Sequence, residues 1–207
     1  MRGMTTKRQT GFTLVELVTV VAIMLIVAAV SVPNILNFMH MAKLRGSASD
    51  YSSLLQVSRI RSVQDDTFYS TYILPGATGN PGQAYVDLKK NGGTKIDAGD
   101  PEIETSSEVT AQAVGNAPDT ANLSGQFLPT GSGVTPQDAS VAPVIFSPRG
   151  LPCTTQLAGA VCTSAAGPTA FWAFFQDSSS SAWEAVTVSP AGRVQKWQHA
   201  GSAWSKL

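Results

Sequence analysis

The chain has 207 residues, with 14 basic and 14 acidic side chains and a formal charge of zero. Only 14% of residues are charged, against 18 glycines and 12 prolines, which excludes a helical bundle and favours a loop-rich, strand-containing domain on an anchor. Without Arg2, Lys7 and Arg8 at the N-terminus, 11 basic groups face 14 acidic ones, so the remainder is no general polyanion binder and only a local basic patch would attract one.

Residues 1–11 form a short basic leader, outside the fold. From Phe12 to Val32 there are 21 residues, of which only Glu16 is charged. A membrane helix needs about 20 apolar residues. The basic flank places the N-terminus in the cytoplasm and the C-terminal part across the membrane. Glu16 needs a partner, because a charged side chain at membrane depth costs about 2.5–3.5 kcal/mol or more. Cleavage after Gly11 would supply one, the new amine of Phe12, four residues away or on a neighbouring chain. A secretory signal has a shorter apolar core, small residues before its cut and no reason to bury Glu16.

Gly11-Phe12-Thr13-Leu14-Val15-Glu16-Leu17, between a basic leader and an apolar helix, resembles the signal of type IV prepilins and type II secretion pseudopilins. The resemblance implies cleavage after Gly11 by a prepilin peptidase, which also methylates Phe12. It implies that Glu16 directs assembly with other pilins into a helical filament at an inner-membrane assembly platform. Before assembly the helix would lie in membrane lipid. Pro33 falls where many pilin helices carry a proline and is expected to kink the helix, since it removes a backbone donor and crowds the preceding turn.

Beyond Pro33, Leu44, Ala48, Tyr51, Leu54, Leu55, Ser58 and Ser62 recur at spacings of three and four, an amphipathic stripe suited to packing on a sheet. The helix therefore continues over residues 34–66, ending at Asp65-Asp66, with a length of roughly 80 Å from Phe12 at 1.5 Å per residue. Phe68–Leu74 reads as a strand stopped by Pro75-Gly76, and Gln83–Leu88 as a weaker one. The polar stretch 89–100 reads as a solvated hairpin turn. Its acidic residues lack the spacing and closing glutamate of a calcium loop. Ile103–Val109 is a further strand candidate, and residues 89–143 as a whole are expected to be variable loops with one or two short strands.

In the C-terminal third, Val144–Phe146 is a strand followed by the turn Ser147-Pro148-Arg149-Gly150. Ala170–Phe175 is a strongly apolar strand. Trp183–Ser189 and Arg193–Gln198 flank Pro190-Ala191-Gly192 as a terminal hairpin. This order, with Phe-Ser-Pro-Arg-Gly at 146–150 and Val-Ser-Pro-Ala-Gly-Arg-Val at 188–194, is similar to the GspH/FimT group of minor pilins and pseudopilins. The fold class expected is α+β and pilin-like. It comprises a leader (1–11), a filament-core helix (12–33), its amphipathic continuation (34–66) and a periplasmic or extracellular antiparallel β-sheet head (67–207).

No nucleophile elbow, phosphate loop, zinc-protease motif or Cys-x-x-Cys pair occurs, and the only histidines are His40 and His199. The chain is therefore read as a non-enzyme with no cofactor and no metal. Cys153 and Cys162 lie beyond the membrane segment and read as a disulfide rather than a metal or redox site. Arg193, Lys196 and Trp197 cluster near the C-terminus. Some members of the FimT group bind DNA near a C-terminal Gly-Arg, and phosphate contacts with base stacking need these residue types. The competing reading is a hairpin with its tryptophans packed inward, and strand alternation would split the basic groups between two faces.

Overall fold

The computed structural model describes residues 12–76, 80–93, 95–153 and 169–207, and the chain divides into two compact units at Met39/His40. One helix, α1 (Leu14–Gln64), contributes to both. In the first unit every residue from 12 to 39 is exposed. Apolar surface on this scale is a docking or membrane surface, never a solvated one. Pro33 sits within α1 without ending it. One turn earlier, the Val30 carbonyl also accepts the Asn34 side-chain amide at 3.1 Å.

The second unit, His40–Leu207, is built around the last turns of α1. Leu44, Ser47, Ala48, Tyr51, Ser52, Leu54, Leu55, Ser58 and Ser62 are buried, which contains the whole stripe expected from the sequence. Two sheets receive it. The first has strand order β3-β2-β1-β6-β7, with β1 Tyr69–Leu74, β2 Gln83–Asp87, β3 Glu102–Glu104, β6 Val144–Phe146 and β7 Pro152–Cys153. The second has order β11-β10-β9-β8-β4, with β4 Val109–Gln112, β8 Phe171–Asp177, β9 Trp183–Val188, β10 Val194–Ala200 and β11 Ala203–Lys206. A two-residue strand, β5 (Gln137–Asp138), pairs in parallel with β8; the other pairings are antiparallel.

β8 is buried on both faces, which explains its unbroken apolar run. Phe171, Ala173 and Phe175 face the helix with Val186 and Val188 of β9 and with Ala84, Val86, Val144 and Phe146 of the first sheet. Trp172 and Phe174 face the other way, into a smaller cluster with Ala185, Trp197, Trp204, Leu123 and Phe127. Leu123 and Phe127 belong to a short helix, α2 (Thr120–Phe127), which covers the outer face of the second sheet.

The structure corrects the sequence reading in places and adds detail in others. The head contains two sheets. Residues 103–109 do not form one strand: the chain leaves the first sheet after Glu104, turns with the Val109 N–H donating to the Ser106 carbonyl at 2.9 Å, and enters the second sheet as β4. Residues expected as loop contain α2, and the terminal hairpin is extended by β11, whose Trp197↔Lys206 register places it on β10. The polar stretch after β2 is organised by its own carboxylates. Asp87 accepts the N–H groups of Asn91 and Gly92 at 3.3 and 3.1 Å, and Asp100 those of Leu88 and Asp97 at 3.2 and 2.9 Å.

Two turns repeat one another. In Ser147-Pro148-Arg149-Gly150 the glycine N–H donates to the Ser147 carbonyl at 2.7 Å; in Ser189-Pro190-Ala191-Gly192 the equivalent distance is 2.8 Å. In each the serine N–H then closes onto the residue after the glycine, and the glycine has φ of +69° or +76°. A β-turn followed by a left-handed residue needs glycine there. One turn belongs to each sheet, and they meet at Arg59 of α1, whose Nε donates to the Gly150 carbonyl at 3.0 Å.

Candidate functional site

Phe12, 83% exposed, and Thr13 precede α1. The four leading N–H groups of a helix have no partner within it. Thr13 Oγ1 accepts one of them, from Glu16, at 3.2 Å, while its carbonyl accepts the Leu17 N–H at 3.2 Å. Thr13 and Glu16 thus stand in the spacing of a capping box, with the acidic residue in the first turn where the helix dipole favours negative charge. Glu16 therefore has two separable parts: a backbone amide held by Thr13, and a carboxylate that meets no partner among the described residues. This cap was readable from the Thr-x-x-Glu spacing. Gly11, expected as the cleavage residue, lies outside the described residues.

At the other end of the chain, β10 distributes the C-terminal cluster over two faces. Lys196 points toward α1 and its Nζ donates to Ser49 Oγ at 3.2 Å; Gln198 on the same face accepts from Arg45 at 3.0 Å. Trp197 points the opposite way, is 3% exposed, and donates its indole N–H to Thr187 Oγ1 at 2.9 Å. Trp204 packs on Phe174 and His199 and donates to the Pro118 carbonyl at 2.9 Å. Arg193 is exposed at the turn and borders an open groove of about 530 Å³ with Lys206, Phe127 and Pro190. The geometry joins Arg193 with Lys206 and the largely buried Trp197 along this groove, and not with Lys196. Cys153 is not a free thiol; Cys162, expected as its disulfide partner, lies outside the described residues.

Between β10 and α1 lies Glu184 of β9, a residue that periodicity alone does not single out. It is fully buried, neither carboxylate oxygen has a hydrogen-bond partner among the described residues, and Arg45 Nε stands 3.6 Å away. Burial pushes its carboxyl up to about 7, against a smaller opposing effect of Arg45 and Lys196.

Residues 6–32 match the family described as the prokaryotic N-terminal methylation motif. No curated protein matches the chain. Among solved structures, the chain is similar to the type IV minor pilin FimU of Pseudomonas aeruginosa in two crystal forms, each at 13% identity and a TM-score of 0.46. The alignments cover 76% of this chain and 90% of that one, and 78% and 97%.

Proposed function

We propose that this chain is a minor pilin or pseudopilin, a structural subunit of a type IV pilus or type II secretion pseudopilus. The observation that carries the reading is a methylation-motif segment at residues 6–32 that leads into α1. Residues 12–39 are predominantly apolar and all exposed, while the later turns of α1 form the core of a β-rich head. In this reading a prepilin peptidase cuts after Gly11 and methylates Phe12. The segment anchors the subunit in the inner membrane, with its N-terminus cytoplasmic and its head periplasmic, as Arg2, Lys7 and Arg8 favour. Assembly exchanges lipid for the helices of other pilins at the assembly platform, with the Glu16 carboxylate meeting the Phe12 amine of a neighbour. The role is scaffolding rather than catalysis.

Intact mass and N-terminal sequencing of the protein from its native membrane test this. The expected result is a chain starting at Phe12 with one added methyl group. A start at Met1, or a cut beyond Val30, would reduce the segment to a plain anchor or signal.

A further inference from the structure

His40, Glu108 and Asp177 come together from three elements: α1, the residue before β4, and the last residue of β8. The pairing of β4 with β8 sets Val109 opposite Asp177, and the Ser178 N–H donates to the Glu108 carbonyl at 2.9 Å, so the backbones that carry the two carboxylates are fixed side by side. His40 Nδ1 lies 3.0 Å from Glu108 Oε2, 3.7 Å from Asp177 Oδ1 and 2.9 Å from Ser179 Oγ. The ligand atoms of the three residues all fall within 4.8 Å of one another.

A second observation points to a ligand. Asp177 is fully buried, and its Oδ2 accepts the Ser179 hydroxyl and the Ser180 N–H at 3.0 and 2.7 Å. Its Oδ1, also buried, has no hydrogen-bond partner among the described residues and stands on the His40 side. An unmatched buried carboxylate oxygen is costly.

We infer that His40, Glu108 and Asp177 form a binding site for a divalent transition-metal cation of the zinc type. Bonds of about 2.1 Å in a tetrahedron put ligand atoms about 3.4 Å apart, and the two spacings from His40 bracket that value. One imidazole with two carboxylates is a borderline ligand set that suits zinc, and their charge balances a dication. Ser179 Oγ or a water completes the fourth position. Lys43 Nζ, 2.9 Å from both Glu108 oxygens, is the competing cation; its side chain is partly exposed and can swing out. A bound ion would tie the first head turn of α1 to the joined ends of β4 and β8.

The test uses the full chain in detergent, stripped with a chelator. Zinc uptake is measured by competition with a chelating dye, and cobalt(II) absorption reports the geometry. One equivalent per chain is expected, with the intense visible bands of tetrahedral cobalt. His40→Ala and Asp177→Asn should abolish it. Glu108→Gln, on a partly exposed side chain and so compatible with folding, should weaken it by at least about tenfold. His199→Gln should leave it unchanged. No stoichiometric uptake, or uptake that survives both His40→Ala and Glu108→Gln in chains whose thermal melts match the parent, would overturn the assignment. The site rests on the head alone, so its failure would leave the filament reading untouched.

Discussion

Glu184 shows what one side chain can impose on a small head. A carboxylic acid that is neutral when buried and ionised when exposed to water makes the folded state bind a proton that the unfolded state releases. Between the ordinary value of 4.5 and the folded value of about 7, the native chain therefore carries more protons than the unfolded one. Stability falls as pH rises through that window. At about 1.4 kcal/mol per pH unit, the whole window corresponds to at most roughly 3.5 kcal/mol, the opposing effect of Arg45 being already contained in the folded value. Thermal unfolding of the full chain in detergent should show this slope, and Glu184→Gln should flatten it and raise Tm above the parent at pH 8. Acidic pairs elsewhere, such as Glu108 with Lys43, act in the opposite sense, so the difference between parent and variant is the quantity to read. A variant with an unchanged slope would show that Glu184 is ionised throughout.

Elements divide by how far their cause lies from their own residues. The buried stripe of α1, β6, β8 and the β9–β10 hairpin were legible because periodicity, aromatic content and Ser-Pro-x-Gly punctuation are local signals. α2 was not, because Ser124 and Gly125 dilute its propensity and only Leu123 and Phe127 mark its buried face. β11 consists of four residues whose reason to be a strand is β10 beside them. The break between β3 and β4 separates two sheets, which a run of β-favouring residues cannot announce. The paired turns at Arg59 were visible as sequence but not as neighbours. Alanine at Gly192 would combine a left-handed backbone with a Cβ driven into the Gly150 carbonyl, whereas at Gly150 the new Cβ meets side-chain atoms of Arg59 and Val63 at 3.1 and 3.2 Å. Gly192→Ala should thus cost about 2 kcal/mol or more and Gly150→Ala about 1 kcal/mol, as read by chemical denaturation. Equal losses would mean that the two turns do not meet as described.

For the whole molecule, the filament reading turns on Glu16. The Thr13 hydroxyl holds the backbone amide of Glu16 rather than its carboxylate, so Glu16→Ala leaves that cap in place. The variant should be cleaved normally. Its incorporation into filaments should fall roughly hundredfold, because removing one member of a desolvated charge pair costs about 3 kcal/mol or more. Immunoblotting of sheared filaments against the membrane fraction reads this directly, and normal incorporation would remove Glu16 from the assembly interface. The motif residues were plain in the sequence because their chemistry is contained in seven consecutive positions. Arg59, Glu184 and the His40 cluster were not, since each depends on strands that meet only after folding.

The bare apolar surface of residues 12–39 has an energetic corollary. Hydrocarbon chains of lipid and side chains of neighbouring helices are nearly equivalent solvents for valine, leucine and isoleucine, so passing from one to the other releases little free energy. A subunit of this kind would join and leave its polymer close to balance. Directionality would then come from work done on the subunit, and a few polar contacts would be enough to decide whether a given copy stays.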